Sequence, residues 1–97
     1  MDIRVKICGL TRDVDVSAAV EEGADALGFI VGFTNSPRNL STSQARSLVK
    51  KIPPFIESVA VTPLDNIDTL KRLCDTIRAT ALQLYCKSAL PVYLSEA

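Results

Sequence analysis

The sequence predicts a parallel α/β sheet built in the order β-α-β-α-β-α-β. Three observations carry this. Residues 24–31, 57–62 and 81–85 are short runs of strand length, largely apolar or β-branched, of the kind that parallel sheets bury on both faces. The segments between them repeat apolar residues at helical spacing. Helix-start and helix-stop residues bracket those segments. Strands and helices alternating along one chain give a parallel sheet with right-handed crossovers.

The elements follow in order. Ile3 to Cys8 alternates, with Ile3, Val5 and Ile7 on one face and Arg4, Lys6 and Cys8 on the other. The apolar face suits packing on helices; the polar face points to something hydrated or reactive. Thr11 is a candidate N-cap, and Asp13 suits a first turn near the positive helix end. That helix runs to about Glu22, with Gly23 as its stop. Ala24 to Val31 is the second strand, and Gly32 to Leu40 is a loop rich in turn formers. Ser41 with Gln44 makes a capping box, and Ala45, Leu48, Val49 and Ile52 share one face of the helix that Pro53-Pro54 ends. Glu57 to Thr62 is the third strand. Asp65 is a candidate cap for a third helix, with Ile67, Leu70, Cys74 and Ile77 on one face. Ala81 to Tyr85 is a fourth, short strand. From Cys86 to Ala97 the apolar spacing is poor and Pro91 interrupts it, so this tail reads as irregular. The expected division is 1–85 as the folded unit and 86–97 as the tail.

Composition narrows the function classes. Lysine plus arginine (11) balance aspartate plus glutamate (11), so the formal net charge is zero. No basic patch stands out, so a nucleic-acid partner is not expected. No apolar run approaches the ~20 residues that span a bilayer, so neither is a membrane. Asp2 and Arg4 interrupt the first apolar run, and no signal peptide is read. Cys8, Cys74 and Cys86 are an odd, widely spaced set without a CxxC pair, and the chain has no histidine. The expectation is no metal site, no disulfide framework and a cytoplasmic setting. Gly9, Gly23, Gly28 and Gly32 make no phosphate-cradling motif, and no cofactor is expected.

The ends of parallel strands are where such folds place chemistry. Cys8 falls at the C-terminal end of the first strand, on its polar face, just before a helix whose amide dipoles favour a nearby anion. Two readings stand: a thiolate general base, or a small buried hydrophobe. Arg38 sits in the loop after the second strand, stiffened by Pro37. It is either a two-pronged clamp for a carboxylate or a solvated loop arginine. Asp25 lies at the opposite end of the sheet and reads as structural. Gln83 and Tyr85 share an inward strand face; Tyr85 is either a hydrogen-bond donor to a ligand or a packing residue. The charged residues of the second and third helices read as solvated faces.

Several segments together resemble phosphoribosylanthranilate isomerase, a (βα)8-barrel enzyme of tryptophan biosynthesis. They are VKICGLTR at 5–12, GADALGFIV at 23–31, SPRNLS at 36–41, VAV at 59–61 and ALQL at 81–84. The resemblance implies the first half of a TIM barrel, incomplete at the C-terminus. It implies an Amadori rearrangement: a general acid opens the furanose ring of N-(5-phosphoribosyl)anthranilate to a Schiff base, a general base removes the sugar C2 proton, and the enolamine tautomerises to the ketose. The base would be Cys8 and the binder of the anthranilate carboxylate Arg38, without metal or organic cofactor.

The chain departs from the family where the fourth strand usually continues as LQLHG; here it reads Leu82-Gln83-Leu84-Tyr85-Cys86. The family's general-acid aspartate and glycine-rich phosphate loops lie in its second half, and no residue of this chain matches them. Barrels of this kind typically need about 250 residues, and four strands cannot close one. The chain is therefore expected to be a truncated half, inactive alone. Its substrate in the complete enzyme would be the small phosphosugar–anthranilate. The alternative expectation is an assembly module, a half-barrel whose open edges pair with a second copy or with a complementing second half. A third is a remnant that only binds an anthranilate-like carboxylate through Arg38.

Overall fold

A computed structural model describes residues 3–63, 66–84 and 92–95. The elements are β1 (Lys6–Ile7), α1 (Asp13–Glu21), β2 (Ala26–Val31), β3 (Asn39–Leu40), α2 (Thr42–Val49), β4 (Glu57–Thr62), α3 (Ile67–Ile77), β5 (Ala81–Leu84) and β6 (Val92–Ser95). They form one sheet in the order β1-β2-β4-β5-β6, with β3 paired to β2. The β1–β2, β2–β4 and β4–β5 pairs are parallel, as the alternation of strands and helices requires. The tail departs from expectation. Residues 92–95, read as irregular, form a strand antiparallel to β5, with Leu84 opposite Val92 and Ala81 opposite Ser95. Val-Tyr-Leu are good strand formers, and a helical period was the wrong one to look for there.

The period-2 alternation of each strand separates two layers. Leu27, Phe29 and Val31 of β2, Ala60 of β4 and Leu82 of β5 join the helical residues Val16, Ala45, Leu48, Leu70, Leu73 and Ile77 in the main core. The other sheet face carries a smaller cluster of Val59, Val61 and Ala81, packed with Ala26, Ile30 and Phe33. Ile7 packs on the main core, but Ile3 and Val5, expected to share its buried face, are 77% and 48% exposed. The ladder of β1 covers only Lys6 and Ile7, and β1 has a neighbour on one side only among the described strands.

Most punctuation falls where expected. Ser41 accepts from the Gln44 backbone N–H at 3.2 Å while Gln44 Oε1 accepts from the Ser41 N–H at 2.9 Å, the reciprocal capping box. Gly23 closes α1 with φ +88, a left-handed conformation that suits glycine. Two caps differ. Arg12, not Thr11, occupies the N-cap position of α1 and makes no side-chain cap bond. Its guanidinium instead pairs with Asp15 at 3.1 Å. That hydrogen bond lowers the Asp15 carboxyl pKa, desolvation opposes it, and the Arg12 charge adds to it. What the pair contributes is present above the ordinary carboxylate range and is lost as pH falls through the lowered value; for so exposed a pair it is small. Asn66 caps α3, accepting from the Thr69 N–H at 3.1 Å. Asp65, the expected cap, lies outside the described residues, as do Tyr85 and Cys86.

Asp25 is structural, as its place at the far end of the sheet suggests. Its Oδ2 accepts from the Val5 N–H at 2.7 Å, its N–H donates to the Val5 carbonyl at 2.9 Å, and its carbonyl accepts from Glu57 at 3.0 Å. Three strand starts are thereby tied together, which sets the register in which the opposite ends present their side chains.

Candidate active site

The turn after β1 is built by two glycines. Gly28, in the middle of β2, lies against the polar face of β1: a Cβ placed on it would stand 3.0 Å from Cys8 Sγ, 3.1 Å from Lys6 Cε and 3.3 Å from Cys8 Cα. Only a residue without a side chain lets Lys6 and Cys8 lie this close to the sheet. The Gly28 carbonyl also accepts from the N–H groups of Gly9 at 3.0 Å and Leu10 at 3.3 Å, which bends the chain out of β1 toward α1. Gly9 makes the bend with φ +81.

Gly9, the residue after Cys8, also lies under the second sequence-predicted residue. The side chain of Arg38 crosses over it, so that a Cβ on Gly9 would lie 2.8 Å from Arg38 Cδ and 3.6 Å from Nε. The loop that carries Arg38 is braced from within. Asn39 Oδ1 accepts from the Phe33 N–H at 2.8 Å, and Ser36 Oγ accepts from the Arg38 N–H at 3.2 Å. Asn39 also pairs in register with Ile30. It reads as an ordinary turn residue in the sequence, yet it pins both ends of the loop.

A cleft of about 330 Å³ opens at this end of the sheet. Ile30, Phe33 and Val61 give it apolar surface; Lys6, Cys8, Ser36 and Gln83 give it polar groups. Cys8 is exposed, so the buried-hydrophobe reading does not hold. Gln83 is only 5% exposed and points inward, as strand alternation predicts. Its Oε1 accepts from Lys6 Nζ across the sheet. Lys6 is placed on the polar face by the sequence, but its pairing with Gln83 is not visible there. The described lining holds a thiol and a lysine and no carboxylate, and Arg38 lies outside it, over Gly9. The lining can accept a proton and attract an anion. Among the described residues no cluster of histidine, cysteine or carboxylates could hold a metal ion, and no helix is long and apolar enough to cross a membrane.

The family model of N-(5'-phosphoribosyl)anthranilate isomerase matches residues 5–94, from β1 through β6. The chain belongs to the phosphoribosylanthranilate isomerase family. The isomerase of Methanothrix thermoacetophila is 44% identical over 82 residues, which are 84% of this chain and 39% of that protein. The crystal structure of phosphoribosyl anthranilate isomerase from Thermotoga maritima matches with a TM-score of 0.83 at 33% identity, over 91% of this chain and 42% of that one. A second isomerase structure, a complex with reduced 1-(o-carboxyphenylamino)-1-deoxyribulose 5-phosphate, also matches with a TM-score of 0.83 at 33% identity, over 91% of this chain and 45% of that one. The chain spans less than half the length of these isomerases. Its parallel strands β1, β2, β4 and β5, with their helices, are the α/β fold of part of the isomerase TIM barrel, and β6 adds an antiparallel strand.

Proposed function

We propose that this chain supplies the proton-abstracting part of a phosphoribosylanthranilate isomerase site, and that residues beyond it supply the rest. The substrate in this reading is N-(5-phosphoribosyl)anthranilate and the reaction an Amadori rearrangement. The Cys8 thiolate takes the C2 proton of the ring-opened Schiff base. The C2–H electron pair forms the C1–C2 double bond, and the imine electrons move to nitrogen. The resulting enolamine tautomerises to the ketose. Arg38 holds the anthranilate carboxylate by paired charge-assisted hydrogen bonds. The observation that supports this most is the Arg38 side chain lying across Gly9. It puts a guanidinium group against the residue that follows the thiol, at the strand ends where parallel α/β folds do chemistry.

The described cleft lining has no carboxylic acid, and the family resemblance puts the general-acid aspartate and the phosphate loops in the second half. The chain alone is therefore expected to be inactive, and to become active when the second half of a family member is supplied in trans. In that two-part enzyme, Arg38→Ala is expected to raise KM by about tenfold or more, the scale of a lost hydrogen bond between charged groups, with a smaller effect on kcat. Steady-state kinetics at saturating second half reads this. An unchanged KM would remove Arg38 from substrate binding.

A second reading is favoured by one feature, the edge position of β1 with Ile3 and Val5 exposed. An open edge flanked by apolar side chains pairs readily with another chain. In this reading the half-barrel self-associates. Sedimentation velocity across a hundredfold concentration range is expected to show dimer growing at the upper end; a monomer throughout counts against it.

A further inference from the structure

Lys6 has no role in the reaction as set out above, yet its position is tightly specified. It extends from β1 over the bare backbone of Gly28 and reaches β5, where its ammonium donates to the buried Gln83 Oε1. Two intervening strands, β2 and β4, lie between those residues. A lysine on a strand end usually extends into water, because its ammonium is strongly hydrated. Here one of its three donors is held by a side-chain amide, and two remain for another partner. Lys6 Cε and Cys8 Sγ stand 3.1 Å and 3.0 Å from the same point above Gly28. Those two atoms are thus no more than about 6 Å apart, and the ammonium, one bond beyond Cε, stands within about 8 Å of the sulfur, inside the ~8–10 Å screening length at ordinary salt. The ammonium and the thiol face the same cleft, whose described lining contains no acidic residue to neutralise the lysine. Arg38 adds a second cation from the loop side.

We infer that Lys6, aimed by Gln83, is a positioning residue that draws an anionic organic ligand into the cleft and against Cys8. The inference rests on the proposed function insofar as the natural ligand is the phosphosugar–anthranilate. The geometry itself demands only a negatively charged small molecule whose reacting carbon reaches the thiol. Gln83 leaves the ammonium its full charge and fixes its direction, whereas a carboxylate at the same place would cancel it.

Paired alkylating reagents test this on the chain as it stands. Iodoacetate and iodoacetamide react with the same thiolate: sulfur bonds to the methylene carbon, iodide leaves, and the thiol proton goes to solvent. Their rate ratio therefore removes the thiolate fraction and reads the local charge. Peptide mass spectrometry follows Cys8 separately from Cys74 and Cys86. The ratio of iodoacetate to iodoacetamide in the folded chain is expected to fall about twofold or more in Lys6→Met, the effect of one charge at ~8 Å in water. Lys6→Arg should retain it, and raising the salt should shrink the difference. Lys6 is exposed and Met replaces it with similar bulk, so the variant is expected to fold. Equal ratios in wild type and Lys6→Met would overturn the inference. Turnover in the two-part enzyme does not depend on that result, so this inference can fail while the isomerase reading stands.

Discussion

Cys8→Ala in the two-part enzyme is expected to lower kcat by about 10²–10⁴-fold, the usual contribution of a positioned general base. The substitution is gentle in every other respect. Cys8 is exposed, its sulfur lies over Gly28 where a Cβ would otherwise stand, and removing it opens no buried cavity. Stability should stay within about 0.5 kcal/mol of wild type, as for other surface changes. KM should change little, because Arg38 remains over Gly9 to hold the carboxylate. Cys8→Ser keeps the shape but replaces the thiol with a far weaker acid, so it should be nearly as inactive. A large fall in kcat with unchanged melting identifies the base. Full activity in Cys8→Ala would place the base elsewhere.

Phe29→Ala is expected to have the largest effect on the fold. Phe29 is completely buried on the helix side of β2, between Leu27 and Val31, and shares the core with α2 and α3 residues. Deleting a buried phenyl ring costs about 3–5 kcal/mol through lost transfer energy and the cavity left behind. Domains have only about 5–15 kcal/mol to lose. Urea unfolding should show a lower midpoint with unchanged slope, and Tm should fall by more than about 10 °C. Phe55→Ala is the control: Phe55 is 81% exposed, and its loss should cost within about 0.5 kcal/mol. The consequence for function is direct. β2 carries Gly28 and Ile30 on its other face, so loosening Phe29 also loosens the strand on which Lys6 and Cys8 rest.

What the sequence disclosed is what local physics determines. Ser41 and Gln44 are three residues apart and cap one helix without help from the rest of the chain. The alternation in Ala81–Leu84 assigns Gln83 to the inner face because side chains on a strand alternate whatever else happens. Cys8 and Arg38 stand out as candidates in the sequence because each sits in a short motif beside a strand end. The cap of α3 moved by one residue, from Asp65 to Asn66, because two adjacent side chains of similar chemistry compete and only backbone geometry chooses. The strand at 92–95 is less legible: Val-Tyr-Leu favour a strand, but Pro91 breaks the pattern before it and the pairing comes from β5. Most hidden was the Lys6–Gln83 hydrogen bond, which joins residues 77 positions apart on strands that are not neighbours. Nothing local links them. Only after Gly28 is seen to clear a path over the sheet does the pairing make sense.

In the function proposed above, this chain carries the base and the carboxylate clamp of an isomerase site completed from outside it. The most direct measurement is turnover of freshly prepared N-(5-phosphoribosyl)anthranilate, by this chain alone and then with a family second half added in trans. No turnover is expected from either part alone, turnover is expected from the mixture, and it is expected to be lost when the mixture contains Cys8→Ala. Turnover by this chain alone at the rate of a complete isomerase would contradict the proposal, as would a mixture whose activity is indifferent to Cys8.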